Sequence, residues 1–366
     1  MFKKVSKEDQ DLELLIAESV IKELPQDKLI DAKKFLDKFS DHKRLEKLFN
    51  TYIVGTETAL SNTNNGKIFV NYSLDGTVTG RLSNSGANIS AGRKKESKIG
   101  ISFHTMPREQ IDFNLRDIIV APEGHDFVTL DIKSAELRVL AHIANEKNMI
   151  KAFEDKIDLH TYSASEVFNK PKDKVSKEER QIAKEVSFLI VYGGTSFTLA
   201  NKRNIPEHKA QKIIDGWMTL FPGVPNYMAV VEDYIKQHKY AKTIFGRRRN
   251  LSNIDSPVKN IQREAFRQGL NFTVQSPASD FLGCGIVGID LEIKSRGLQA
   301  IIAGSVHDSI SVTCPKSETE LVCKIMKYQL EEYPYLKKHF GIYLKVPIEI
   351  EIKVGKSFGS GEIVEV

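Results

Sequence analysis

The stretch Thr129–Ala144, TLDIKSAELRVLAHIA, decides how the chain is read. Thr129 to Ile132 is short and apolar on both sides of Asp131, as a strand would be, and from about Ser134 the apolar residues recur at helical spacing. A carboxylate in such a strand is costly unless a hydrogen-bonding partner, an opposite charge or a metal ion accompanies it. The remainder of the sequence must supply that companion.

The organisation around this stretch is uneven. Up to about Leu60 the chain reads as helices, in LELLIAESVIKEL and LIDAKKFLDKF, with a break at Pro25. The polar segment SNTNNGKIFVNYSLDGTVTGRLSNSGANISAG, 61–92, carries Asn-Gly and Asp-Gly turn signals and reads as a sheet edge followed by a loop. Asp158 to Asn250 is almost wholly helical in pattern, interrupted at YGGTS and FPGVP, and a further helix is expected over Asn260–Phe281. QAIIAGSVHDSISVTCP, 299–315, predicts a β-hairpin with His307, Asp308 and Ser309 at its tip, and VPIEIEIKVGKSFGSG, 346–361, alternates as a strand does. Two carboxylate-bearing strands separated by a long helical insertion give an α+β fold.

Bulk composition is that of an ordinary globular protein: 366 residues, 41% hydrophobic, 28% charged, formal net charge +5. That mild charge permits a polyanionic partner without demanding one; the local clusters GRKK (92–95) and FGRRRN (245–250) are more telling, although a charge run is as often a solvated face. Cys284, Cys314 and Cys323 have no metal-binding spacing, so zinc is not expected and the thiols read as reduced and structural. No apolar run reaches membrane-spanning length, so no membrane association is expected and a cytoplasmic location is, whether nucleoid-associated or in a host cytoplasm.

If the strands bearing Asp131 and Asp308 are neighbours, two carboxylates converge, and divalent cations with hard oxygen ligands relieve their repulsion. Such a pair suits phosphoryl or nucleotidyl transfer; a lone Asp, by contrast, more often caps a helix or shapes a turn. In ERQIAKEVSFLIVYGG, residues Arg180, Lys184, Phe188 and Tyr192 recur every fourth position and form a stripe along one helix. Two cations followed by two aromatics match a nucleoside triphosphate, and equally match an amphipathic helix with its aromatics in the core.

At this point the motifs resemble DNA polymerase family A. DIKSAELRVLAHIA resembles its motif A, RQIAKEVSFLIVYG its motif B and VHDS its motif C, with TGRLSNSGANI, APEG, DLHTYSASEVF, FPGVPNYM, FGRRRNL and REAFRQGLNFTVQSPASD agreeing in order and spacing. The resemblance implies a right-hand polymerase fold: a reduced helical thumb over 1–60, an antiparallel-sheet palm over 61–150 and 256–366, and helical fingers over 151–255. It implies a template-directed DNA polymerase of replication or repair, acting on primer-template DNA and dNTPs, with two Mg²⁺ ions and Mn²⁺ as a substitute. The alternatives are a catalytically silent DNA-binding remnant and a related single-subunit RNA polymerase.

Residue by residue, the resemblance makes Asp131, Asp308 and the carbonyl of Ile132 the metal ligands. Arg180, Lys184 and His160 would hold the triphosphate, with Lys184 protonating the leaving pyrophosphate, and Phe188 would stack on the nascent pair. Tyr192 would act with Glu136, at the steric-gate position that excludes ribonucleotides. Arg81, Asn88, Arg267, Asn271, Gln275 and His307 match contacts to primer and template, and Arg247, Arg248, Arg249 and Lys94 would neutralise phosphates. Three features depart from the family pattern: Ser309 replaces the acidic residue that commonly follows the motif C aspartate, Ile132, Lys133 and Ser134 replace a frequent Tyr, Ser and Gln, and only about 60 residues precede the palm-like segment. The last predicts no proofreading exonuclease in this chain and weak DNA retention, offset by a processivity or exonuclease partner.

Overall fold

The computed structural model describes residues 26–61, 63, 66–86, 88–89, 97–98, 101–107 and 114–366, of which 26–30, 32, 86, 88–89 and 97–98 are described by their backbone alone. It forms two compact units, Met1–Asn71 with Ser85–Phe103, and Tyr72–Asn84 with His104–Val366. The first contains helices α1 (Gln26–Leu48) and α2 (Val54–Ser61), joined by a π-helical turn at Phe49–Ile53.

The second unit is built on β1 (His125–Ile132), β2 (Ile301–Val306), β3 (Ser309–Pro315), β4 (Ile350–Gly355) and β5 (Glu362–Val364). They form one antiparallel sheet in the order β5-β4-β1-β3-β2, so the strand of Asp131 is central, flanked by the hairpin and the C-terminal strand. Alternation gives the sheet two unlike faces. Val128, Leu130, Ile132, Ile310, Val312 and Ile352 are buried on one, and helix α11 (Thr319–Glu331) adds Val322, Met326 and Leu330 to the same core. Directly opposed residues of an antiparallel pair share a face. The other face therefore carries a row Glu351, Asp131, Ser309 and a row Lys353, Thr129, Ser311. Asp131 is half-buried there, beyond the apolar layer, which accounts for a carboxylate in an apolar strand.

Between β1 and β2 lies the helical insertion: α3 (Ala135–Ile143), α4 (Lys147–Glu154), α5 (Leu159–Val167), α6 (Lys177–Val191), α7 (Ser196–Arg203), α8 (Glu207–Leu220), α9 (Gly223–His238) and α10 (Lys259–Ser295). Trp217 of α8 is fully buried and donates its indole N–H to Ser187 Oγ of α6 at 3.1 Å, while α10 contributes to both hydrophobic clusters of the unit. The predicted helical pattern over Asp158–Asn250 ends early. Lys239 turns into the left-handed region at φ 63°, and Tyr240–Lys242 pairs with Arg248–Asn250 as a ribbon around Gly246 at φ 84°. No helix among the described residues is long and apolar enough to cross a membrane.

The turn from β1 into α3 is made by Ser134 at φ 55°, an uncommon conformation for a residue with a Cβ. Arg138 holds it. Its guanidinium is buried, lies 4.4 Å from the Phe153 ring, donates from Nε to the Lys133 carbonyl at 2.8 Å, and reaches the Pro347 carbonyl and Glu349. Removing it leaves these acceptors without their donor in a tight corner. Arg138→Ala is expected to lower the unfolding free energy by about 3 kcal/mol, measured by chemical denaturation; a loss under about 1 kcal/mol would reduce this cluster to a surface ion pair.

Candidate active site

Asp131 and Asp308 are brought together by register. Asp131 is paired with Ser309, and the backbone N–H of Ile132 donates to the Asp308 carbonyl at 3.2 Å, so the two aspartates stand at adjoining strand ends. The hairpin is tighter than its sequence predicts: His307 and Asp308 alone form the turn, Ser309 being already paired with Val306. His307 takes φ 55°, the left-handed conformation that matches a two-residue turn to strand twist. Ser309 is buried and donates its hydroxyl to the Val306 carbonyl at 2.8 Å, bracing the turn from within. Glu351, not singled out in the sequence, lies opposite Asp131 on the other neighbouring strand and pairs with Lys353 at 3.3 Å.

Two carboxylates at one sheet end, with the adjoining Ile132 carbonyl, make a donor set that a hard divalent cation would accept. Among the described residues no group of three or more His, Cys, Asp or Glu is placed to hold a metal ion by itself. A cation held by Asp131 and Asp308 would thus complete its shell with backbone, water or phosphate oxygens, as Mg²⁺ commonly does.

Glu136 projects from the first turn of α3 and is 4% exposed, where a lone carboxylate would be costly; Arg81 pairs with it directly. The Arg81 loop is itself fixed. Thr77 Oγ1 donates to the Arg81 carbonyl at 2.8 Å, and Ser279 Oγ to that of Gly80 at 3.2 Å. Gly80 has φ 73°, and a Cβ there would stand 3.1 Å from Ser276 Oγ and Arg247 Cδ, so this loop requires glycine. The sequence reading set Glu136 with Tyr192 and did not anticipate this ion pair with Arg81.

Helix α6 starts with a capping box, Ser176 with Glu179, and presents its stripe as its spacing predicts. Arg180 makes a bidentate pair with Asp158 at 2.7 and 3.0 Å. Burial pushes the Asp158 carboxyl up, but hydrogen bonds from Arg180 and Thr161 outweigh it and hold the group down to about 2. Lys184 is exposed, Phe188 stacks on Tyr192 at 6.3 Å and 20°, and His160 lies 6.2 Å from Phe188. Tyr192 closes the helix as its C-cap, 40% exposed. Next to it, a Cβ on Gly193 would collide with the Arg267 side chain, so the end of α6 seats against α10.

Along α10, Arg267, Asn271 and Gln275 repeat every fourth residue on one face. Arg267 is held by Glu264, Gln275 is buried, and Asn271 Oδ1 and Ser276 Oγ are buried without a hydrogen-bond partner among the described residues. The basic ribbon is not a bare charge cluster: Arg247 is paired with Asp280 at 2.6 Å, Arg248 lies 5.0 Å from the Tyr240 ring, and Arg249 donates to Gln268 Oε1 at 2.8 Å. The backbone of Asn88 belongs to a two-residue strand of the first unit, but its side chain falls outside the described residues, as does Lys94.

His160 is 6% exposed, with Nδ1 unpartnered among the described residues. Burial depresses the imidazole to about 4; Asp158 opposes this, and Arg180 and Lys184 reinforce it. The ring is therefore neutral at pH 7 and would meet a phosphate as an N–H donor. Below its ordinary value of 6.5 the unfolded chain takes up a proton that the folded one refuses until about 4. Stability is fully present above that ordinary value and falls with acid across the interval. Between pH 7 and 4.5 the native protein should lose about 2–3 kcal/mol more than His160→Gln, measured by urea denaturation at both pH values; equal losses would contradict this assignment.

Known proteins supply the comparison. The solved POL domain of Pol1 from M. smegmatis, in complex with DNA primer-template and dNTP, superposes with a TM-score of 0.77 at 26% identity over 89% of this chain and 54% of that one. "DNA polymerase I, thermostable" of Thermus aquaticus is 29% identical over 336 residues, covering 91% of this chain and 37% of that protein. DNA polymerase I of Streptococcus pneumoniae is 33% identical over 314 residues, covering 85% of this chain and 33% of its own length. The chain thus spans about a third of the curated relatives it matches. With the sequence profile of DNA polymerase family A matching residues 2–360 and the α+β architecture agreeing with a solved polymerase domain, the chain belongs to DNA polymerase family A.

Proposed function

We propose that this chain extends a primer 3′ end on a DNA template, using dNTPs. The observation that carries the reading is the convergence of Asp131 and Asp308 at adjoining strand ends, fixed by the Ile132–Asp308 backbone bond of 3.2 Å. In this reading the sheet is the palm, with segments 61–150 and 256–366, the insertion over 151–255 the fingers, and the helices within 1–60 a reduced thumb. The family match takes up residues 2–360, and the activity we assign to them is polymerisation.

Asp131, Asp308 and the Ile132 carbonyl would hold two Mg²⁺ ions, or Mn²⁺ in their place. When bound, such ions activate the attacking oxygen and stabilise the leaving one. The primer 3′ oxygen forms a bond to the α-phosphorus as the bond to the pyrophosphate oxygen breaks; the hydroxyl proton leaves to solvent, and Lys184 delivers a proton to pyrophosphate. Arg180 and neutral His160 orient the triphosphate, and Phe188 with Tyr192 offers an aromatic surface to the incoming base and sugar. Arg81, Arg267, Asn271, Gln275 and His307 contact primer and template. The Arg247–Arg249 ribbon neutralises phosphates, so DNA affinity falls steeply with salt.

The rival single-subunit RNA polymerase predicts ribonucleotide addition. Buried Glu136, fixed by Arg81, favours the deoxy reading because it fills the space a 2′-hydroxyl would need. Primer extension with dNTPs or rNTPs on one DNA template separates the two: preference for dNTPs supports the reading, and preference for rNTPs overturns it.

A further inference from the structure

Beside the first residue of the α6 stripe stands a carboxylate with no part in the chemistry proposed above. Asp158 is the N-cap of α5, where its Oδ2 accepts the Thr161 N–H at 3.1 Å and the Thr161 hydroxyl at 2.5 Å. The same carboxylate takes Arg180, with Nε 2.7 Å from Oδ2 and Nη2 3.0 Å from Oδ1. Lys170, in the loop between the two helices, pairs at 2.5 Å with Glu179, which also closes the capping box with Ser176. The backbone is thus held on both sides of the pair.

An arginine on a helix surface has a long, rotating stem, and ordering it on a ligand costs conformational entropy. Asp158 orders the side chain before any ligand arrives. It grips the Nε–Nη2 edge, which leaves the Nη1 amino group and the second N–H of Nη2 to meet an anion. His160, the second residue of α5, is buried close enough for Arg180 to depress its proton affinity. The pair of Asp158 with Arg180 therefore joins two phosphate contacts that stand on different helices. Its side chains are 42% and 44% exposed, and an ion pair in that setting adds little to stability, so its consequence belongs to binding.

We propose that Asp158 is a positioning residue for Arg180, presenting the remaining edge of its guanidinium, together with His160, to the triphosphate of the incoming dNTP. The proposal rests on the polymerase reading above and adds a residue that acts through another. The opposite role for a carboxylate near a polyanion is a latch that must release Arg180 before the dNTP binds. A latch predicts tighter binding once the charge is removed; a positioning residue predicts weaker.

The test is Asp158→Asn in single-turnover addition of one correct dNTP. Asparagine retains the cap on α5 but cannot accept both Arg180 bonds as a carboxylate does, so the melting temperature should hold. The dNTP concentration for half-maximal addition should rise about five- to tenfold, with the maximal rate within about twofold of native. In the Arg180→Ala background the same substitution should change that concentration less than about twofold. An unchanged or lower half-maximal concentration in Asp158→Asn, or a rise of equal size with and without Arg180, would overturn the positioning role and leave the polymerase reading intact. In a native chain that adds no nucleotide the polymerase reading falls, and calorimetric titration with inorganic triphosphate decides the rest: weaker binding by Asp158→Asn keeps the positioning role, and equal binding ends it.

Discussion

Asp308→Asn should reduce single-nucleotide addition by at least about 10³-fold while primer-template binding and melting temperature stay near their native values. Asparagine keeps the size and polarity of the side chain at a half-buried turn, so the hairpin has little reason to change. What it removes is the charge. A hard cation loses an anionic ligand and the geometry that pairs Asp308 with Asp131 across the Ile132 backbone bond serves no purpose. In the proposed reading DNA affinity would depend instead on α10 and the basic ribbon. Rapid-quench addition, gel-shift binding and thermal melting check the three parts separately, and a variant that keeps more than about a tenth of the native rate would remove Asp308 from the chemistry.

The second large effect is on sugar choice. Glu136→Ala should raise ribonucleotide incorporation relative to dNTPs by about 10²-fold or more, because it opens the space that a 2′-hydroxyl requires. Arg81→Ala should move in the same direction, since Arg81 holds the Glu136 carboxylate in place. It carries a second cost: a carboxylate only 4% exposed loses its counter-charge, and breaking such a pair from one side typically costs about 3 kcal/mol. Competitive dNTP and rNTP incorporation, read together with chemical denaturation, separates the two contributions. Unchanged discrimination in Glu136→Ala would assign sugar selection elsewhere.

Much of this was legible in the chain. The strand through Asp131, the helical stripe of Arg180, Lys184, Phe188 and Tyr192, and the hairpin around Asp308 are local patterns with local causes and all three elements form, though the strand starts earlier, at His125, and the hairpin turn is one residue tighter. The helix expected over Asn260–Phe281 continues to Ser295, because its glycines mislead a reading by propensity. A Cβ on Gly285 would stand 2.7 Å from Leu330, and one on Gly288 would stand 2.2 Å from Gln329 Oε1; close approach of α11 is what these positions serve. Packing overrides propensity there. The ion pair of Arg81 with Glu136 spans 55 positions, and the contact of Tyr72 with Ser305 spans 233. No periodicity encodes such a contact. Asp158 caps α5 and also holds Arg180, a pairing across 22 positions that exists only once α5 and α6 are packed together.

The most direct measurement is extension of a labelled primer by the intact chain with Mg²⁺, on a template whose order of bases is known, with one dNTP withheld. A template-directed polymerase gives a ladder that stops one position before the first template base calling for the missing nucleotide, and Asp308→Asn should give none. Salt-sensitive DNA binding without extension, in Mg²⁺ or Mn²⁺, would contradict it and leave a DNA-binding module that has lost its chemistry.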